Sequence, residues 1–305
     1  MQDPIPDVKT LRDLVLWGET HFTNSGLWFG HGMDTALDES AYLVGHALDI
    51  PLDYEGVDVD QPLELDDKLK AYALLQARIE RRVPAAYLTH EAWFAGLPFY
   101  VDARVLVPRS PIAELIEVGF EPWRGGRPVK RVLDLCTGSG CIAIACANVF
   151  PNAIIDAVDI SHAALTVAQI NIDRHGLNDR IKVIESDLFA SLTDQRYDII
   201  VSNPPYVGAE TMSHLPEEYR REPELGLAAG DKGLDLVIPM LQQASRFLHP
   251  DGLLIVEVGE SEAALEERFP NVPFTWMEFS RGGEGVFLLD TQTLKEYQNE
   301  FDNEC

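Results

Sequence analysis

The chain has 305 residues, with 24 Lys and Arg set against 50 Asp and Glu, a formal net charge of −26. Apolar residues make up 46%, which excludes a disordered chain and allows one large or two ordinary domains. No apolar run approaches the ~18–20 residues of a membrane span, MQDPIPDVKT reads as no signal peptide, and so acidic a surface repels phosphate backbones.

The expectation is therefore a cytoplasmic protein with no membrane and no direct nucleic-acid partner. A basic partner suits the charge better, because opposite charge speeds encounter. Residues 1–110 carry 9 basic and 18 acidic side chains and residues 111–305 carry 15 and 32, so the acidity is no tail.

The first ~105 residues read as mostly helical. Residues 7–22 place Val8, Leu11, Leu14, Val15 and Phe22 at helical spacing, and residues 68–83 do so with Leu69, Tyr72, Leu75, Ile79 and Val83. Between them, residues 49–67 hold eight acidic side chains and no basic one, a solvated loop surface by the plainest reading. Trp93–Gly96 and Phe99–Val101 predict a short hairpin, Val105–Pro111 an extended stretch, residues 111–119 a helix, and the Pro/Gly-rich 122–128 a loop.

Strand and helix patterns then alternate. Strands are expected at 131–136, 154–159, 181–184, 197–202 and 253–258, and helices at 140–149, 161–175, 233–248 and 261–269. The early strands are short runs of mostly Val, Ile and Leu, as strands buried on both faces require. The alternation implies a parallel sheet with helices on both faces. Residues 273–279 and 285–290, joined by Ser280-Arg281-Gly282-Gly283-Glu284, predict a closing hairpin and an antiparallel strand. That makes seven strands in an α/β fold. The thiols Cys136, Cys141 and Cys146 are five apart and Cys305 ends the chain, which is no zinc spacing; they read as reduced thiols with no metal.

Three loops carry chemistry. Asp134-Leu-Cys-Thr137-Gly138-Ser139-Gly140 ends the first strand and opens a helix, and its glycines permit a tight turn and close approach of a ligand. Asp159 ends the next strand, 19 residues beyond Gly140, where a carboxylate can accept from ribose hydroxyls. Ser186-Asp187-Leu188 follows the third strand, where Asp187 either holds an exocyclic amine or caps a helix. Together these predict an adenosine-type cofactor, with NAD and S-adenosylmethionine both open at this point.

Asn203-Pro204-Pro205-Tyr206 ends the fourth strand and is more specific. Neither proline offers an N–H and both have fixed φ. The Asn203 side-chain carbonyl and the Pro204 carbonyl can accept from a substrate NH2, and Tyr206 offers a face to a planar group. Such a site aims the nitrogen lone pair at an electrophile, so proximity, orientation and desolvation do most of the work. His162, His175, His214 and His249 are given no catalytic part.

These residues resemble class I S-adenosylmethionine methyltransferases that act on planar NH2 groups. With Val107-Pro108-Arg109 upstream and Glu222–Ala228 downstream, the chain is similar to the HemK/PrmB-type protein-(glutamine-N5) methyltransferases along nearly its whole length. Leu27–Asp34 and Val107-Pro108-Arg109-Ser110-Pro111-Ile112 are similar to the branch that modifies ribosomal protein L3, rather than the branch that modifies peptide-chain release factors, which usually reads Pro-Arg-Pro-x-Thr.

The resemblance implies a Rossmann-like, mostly parallel seven-stranded domain at 106–305, and a small helical substrate-recognition domain with a hairpin linker at 1–105. It implies S-adenosylmethionine as cofactor, held by Asp134, Thr137, Gly138, Ser139, Gly140, Asp159, Ile160, Asp187, Leu188 and Asn203. Asn203, Pro204, Pro205 and Tyr206 become the catalytic residues, with Asn203, Pro204, Tyr206 and Arg109 binding substrate. Glu222 is either functional or a salt bridge steadying its loop, and Trp28, Phe29 and His31 either contact the protein substrate or pack a core. The implied partner is free ribosomal protein L3. An adenine N6-methyltransferase would need a basic surface for base flipping, an NAD-dependent oxidoreductase leaves Asn203–Tyr206 unexplained, and a non-enzymatic binding factor has no use for an amine-orienting motif.

Overall fold

The computed structural model describes residues 7–51, 54–193 and 195–303. Cys305 and two residues of the acidic 49–67 segment lie outside the described residues. The chain divides into two units. One comprises Met1–Ala92 together with Pro216–Glu222, the other Trp93–Leu215 with Pro223–Cys305.

The first unit is helical. α1 (Leu11–Asn24) starts where Thr10 and Asp13 cap each other, each side chain accepting from the other's backbone N–H at 3.1 Å. α2 (Ala36–Ala47) escaped the periodicity reading, although Thr35 caps it by accepting from Asp38 N–H. α3 (Leu65–Arg81) ends at Arg82 in the left-handed region, and α4 (Ala85–Thr89) follows. Leu11, Leu14, Phe22, Leu43, Val44 and Leu75 form the core of this unit.

This unit buries an ion triad. Arg78 donates to Glu39 at 2.6 Å, to Glu218 at 3.1 Å and to the Trp28 carbonyl at 2.8 Å, and all three charged side chains are buried. The segment 216–222 therefore belongs to this unit although it follows the loop motif at 203–206 by only a few residues.

The expected hairpin, β1 (Ala92–Phe94) and β2 (Leu97–Phe99), begins on the last residue before the division and continues into the second unit, followed by α5 (Ile112–Glu117). Then come β3 (Arg131–Leu135), α6 (Cys141–Val149), β4 (Ile154–Asp159), α7 (His162–Arg174), β5 (Ile181–Glu185) and β6 (Tyr197–Ser202). α8 (Ala209–His214), α9 (Val237–Phe247), β7 (Leu248–Glu257), α10 (Glu262–Arg268), β8 (Thr275–Trp276), β9 (Val286–Asp290), α11 (Thr291–Glu296) and α12 (Gln298–Asp302) complete it.

The sheet order is β5-β4-β3-β6-β7-β9-β8, parallel from β5 to β7, with β9 antiparallel to both neighbours. This is the seven-stranded α/β sheet expected. Alternate residues feed two cores. Val132, Ile155, Ile199 and Ile255 pack on α5 and α6, while Leu133, Val158, Ile200 and Val256 pack on α9 and α11.

Two expectations are corrected. The strand expected over 273–279 is only Thr275–Trp276. Pro273 has no N–H to give to a ladder, although just past the strand Met277 N–H still donates to Val286 O at 2.8 Å. The helix expected from 233 starts at Val237, because Gly233 sits at φ +76°, outside helical geometry.

Candidate active site

The strand order sets the site. From β3 the chain winds outward to β4 and β5, then returns to place β6 on the other side of β3, with Leu135 beside Ser202. The crevice beyond the carboxyl ends of β3 and β6 is the switch point, where ligands bind in open α/β sheets. The loops after Leu135 and Ser202 meet there.

They wall an open, mostly apolar cavity at the switch point. Of the residues singled out from sequence, Gly138, Asp159, Ile160, Asp187, Leu188, Asn203 and Pro205 lie on its wall. Asp134, Thr137, Ser139, Gly140, Pro204, Tyr206 and Arg109 do not line it. Leu225, from the Glu222–Ala228 motif, also lines it, while Leu106 and Leu236 were not given a site role from sequence. No local signal marks the last two, because an apolar side chain at a cavity reads like any core residue.

The glycine loop divides its labour. Gly138 has φ +54° and a Cβ there would meet nothing within 4 Å, so it leaves room on the cavity side. Gly140, at φ +80°, faces Ala168 of α7, where a Cβ would come within 3.2 Å, so it serves helix packing. Cys136 takes φ +59° without being glycine, a strain of roughly 1–3 kcal/mol that the surrounding sheet must hold.

Asp134 shapes this loop from behind. It is fully buried, and one carboxylate oxygen accepts from Thr137 Oγ1 at 2.5 Å and from Ala143 N–H at 3.0 Å, tying the turn to the first turn of α6. Burial pushes its carboxyl up to about 7, against the pull of those two bonds.

Asp159 accepts from Gly138 N–H at 2.9 Å and Ser161 N–H at 2.8 Å, and burial raises its carboxyl despite them. The Ile160 N–H bonds the carboxylate as well, and an ionised carboxylate with three donors still has acceptor capacity for a hydroxyl. Leu188 sits at φ +45° beside Asp187, and Ile160 is 53% exposed, a bare apolar surface at the same cavity. Asp187 and Leu188 open a turn rather than a helix, since Asp187 O accepts from Ala190 N–H.

In the tetrapeptide, Pro204 is buried and Asn203, Pro205 and Tyr206 are half-buried. The loop is braced by the Val207–Ala228 bridge, with Val207 N–H donating to Leu227 O at 2.8 Å. Arg109 turns back on its own segment, Nη1 donating to Val107 O at 3.3 Å.

The remaining sequence candidates fall in the helical unit. His31 is buried with Nε2 at 3.3 Å from Glu222, which makes Glu222 part of an internal pair. Phe29 packs toward Phe22, whereas Trp28 is 48% exposed and its backbone N–H donates to Glu218 Oε1 at 3.1 Å. Cys141 and Cys146 are buried and, with Cys136, free of disulfides; burial pushes Cys141 up to about 12. Among the described residues no group of three His, Cys, Asp or Glu is placed to hold a metal ion, and no described helix is long and apolar enough to cross a membrane.

A parallel sheet with a closing antiparallel strand, and a cavity at its switch point bounded by Gly138, Asp159 and Asn203, define a class I methyltransferase fold. Residues 125–217 match the family model of the methyltransferase small domain. The hMettl16 catalytic domain, solved in complex with MAT2A 3′UTR hairpin 6, shares the fold over 82% of this chain and 91% of that one, with TM-score 0.51 and 20% identity.

A ribosomal protein uL3 glutamine methyltransferase of Xanthomonas campestris pv. campestris is 52% identical over 94% of this chain and 93% of its own length. One of Neisseria meningitidis serogroup B is 48% identical over 94% and 95%. The chain belongs to the family of ribosomal protein uL3 glutamine methyltransferases, and it is an enzyme.

Proposed function

We propose that the chain transfers a methyl group from S-adenosyl-L-methionine to the N5 side-chain amide nitrogen of a glutamine in ribosomal protein uL3. The observation that carries this is the near-complete alignment at 52% identity with a relative of that name, in a chain that puts Asn203 and Pro205 on the wall of the same cavity as Asp159.

The residues present fit the cofactor. Gly138 leaves open space, Asp159 offers lone pairs to a ribose, Asp187 offers a carboxylate to an amine, and Leu188 and Ile160 offer apolar faces to a purine. Thr137, Ser139 and Gly140 keep the loop in shape and Asp134 holds it to α6. When bound, S-adenosylmethionine supplies the electrophilic methyl group.

The chain's own part is orientation. Asn203 and Pro204 carbonyls accept the two amide protons, which turns the nitrogen lone pair out of the hydrogen-bonding plane, and both acceptors stabilise the positive charge that grows on nitrogen. Tyr206 supports the amide plane, Pro205 keeps the loop rigid, and Arg109 flanks the substrate. Residues 106–305 perform transfer and residues 1–105 recognise the protein substrate, with Trp28 an exposed aromatic available for it.

The test offers labelled cofactor with unassembled uL3, a release factor or duplex DNA. Label on one glutamine of uL3 is expected. Label on the release factor alone, or on DNA, would overturn the reading. Asn203→Ala is expected to abolish transfer while leaving cofactor binding within a few-fold. The charge of −26 favours a free, basic ribosomal protein over an RNA-coated subunit. Free uL3 is therefore expected to react faster than assembled subunits, and added salt to slow the reaction. We place the enzyme in the cytoplasm.

A further inference from the structure

Tyr206 is held at three points by residues outside its own loop motif. Its phenol donates to Glu257 Oε1 at 3.0 Å, and its carbonyl accepts from Ser261 Oγ at 2.8 Å. Its ring lies against Gly259, where a Cβ would fall 2.5 Å from Cε2, and its carbonyl lies against Gly233, where a Cβ would fall 2.0 Å away. Two glycines at positive φ thus give the tyrosine room, and two side chains fasten it.

Glu257 is the last residue of β7 and only 4% exposed. A buried carboxylate costs several kcal/mol unless its oxygens are satisfied. Here they are. Oε1 takes the Tyr206 phenol, and Oε2 takes Ser110 Oγ at 2.5 Å. Ser110 Oγ itself accepts from Ile112 N–H at 3.2 Å, so its single proton is committed to Glu257.

The chain of donors therefore runs one way from each side and ends on the carboxylate. Both incoming groups are donors, so the ionised acid is the species that accepts them both. Burial raises the Glu257 carboxyl, while the Ser110 and Tyr206 hydroxyls and the charge of Arg109 pull it back.

We propose that Glu257 is a positioning residue for methyl transfer: with Ser110 it fixes the phenol of Tyr206, and through it the ring face on which the substrate amide rests. This rests on the reading of Asn203–Tyr206 as the amide site. Without the anchor, the ring keeps its packing on Gly259 but loses the directional bond that sets its tilt. An error of about 1 Å at the reacting nitrogen is enough to cost on the order of 10²-fold in rate.

The experiment is a double-mutant cycle on full-length enzyme, with unassembled uL3 and labelled cofactor, alongside calorimetric cofactor affinity. Glu257→Gln keeps the size of the side chain. It is expected to lower kcat by about 10–100-fold, with cofactor Kd and the KM for uL3 changed less than about twofold. In the Tyr206→Phe background the same change is expected to cost almost nothing more, because the bond it would break is already absent. Ser110→Ala is expected to give a smaller loss that also vanishes in that background.

Losses that multiply in the double variants overturn the proposal, as does a change confined to KM or Kd. Should Glu257→Gln fail to bind cofactor, the Ser110→Ala cycle decides by the same criterion. Wild-type enzyme that labels no amide at all overturns the amide-site reading and this proposal with it. Active wild type with multiplicative losses overturns this proposal alone.

Discussion

Replacing Arg78 by Met tests whether the buried ion triad holds the helical unit together. The guanidinium bonds Glu39 at 2.6 Å, Glu218 at 3.1 Å and the Trp28 carbonyl at 2.8 Å, and its own side chain is fully buried. Arg82 also reaches Glu218 at 3.2 Å, and Trp28 N–H donates to the same carboxylate oxygen, so Glu218 keeps partners when Arg78 is lost. Glu39 keeps none of the partners that Arg78 gave it. Removing one member of a buried pair costs about 3–5 kcal/mol, most of it the stranded charge. Converted at 1.36 kcal/mol per decade, that is a fall of about 10²–10⁴ in amide-exchange protection across α1, α2 and α3, with β3 and β6 little changed.

The pH dependence has a definite sign. Burial already raises the Glu39 carboxyl, against the pull of Arg78. A raised acid contributes stability that is complete below its unfolded value near 4.5 and is lost as pH rises through its folded value. Arg78 limits that loss, so the deficit of Arg78→Met grows with pH. Exchange at two pH values, corrected for intrinsic rates, reads this directly. Neutralising both carboxylates as well, in Arg78→Met with Glu39→Gln and Glu218→Gln, is expected to recover much of the stability. Unchanged protection in α1–α3, or a loss independent of pH, would refute the reasoning.

Three further outcomes follow from other parts of the chain. Gly259→Ala puts a Cβ 2.5 Å from the Tyr206 ring at φ +45°, so it should cost about 1–3 kcal/mol in urea unfolding and lower kcat more than cofactor affinity; a neutral change would mean the ring is not confined. Asp134 has its carboxyl pushed up to about 7 by burial, so its contribution is complete near the unfolded 3.8 and lost as pH rises through 7; Asp134→Asn should therefore compare better with wild type at pH 8 than at pH 5, and parallel stability profiles would contradict this. Asp159→Asn, which keeps the shape but gives up the charge, should weaken cofactor binding by about tenfold in calorimetry; unchanged affinity would remove Asp159 from the cofactor site.

Local chemistry was legible in the sequence alone. Runs of Val, Ile and Leu at 131–136, 154–159 and 197–202 mark buried strands because such strands must be apolar on both faces. Glycines at 138 and 140, and the pair Pro204-Pro205 after Asn203, mark loops whose backbone is constrained by their own covalent structure. Capped α2 was equally local, through Thr35 and Asp38, and escaped because its buried face mixes Tyr42, Leu43 and Val44 with Glu39, Ser40 and Gly45, which breaks the apolar period.

What only the tertiary structure decided is adjacency. Nothing in residues 131–206 states that β6 lies beside β3 rather than beside β5, yet that choice brings Gly138 and Asn203 to one cavity. Glu257 and Ser110 are 147 positions apart, and nothing local to either names the other as its partner. The excursion 216–222, with Glu218 on Arg78 and Glu222 on His31, joins the helical unit across more than a hundred residues of chain. Propensity and patterning act over a few residues, so they determine elements and loops. Buried hydrogen bonds and ion pairs are formed between elements, and their partners are named only by the packing.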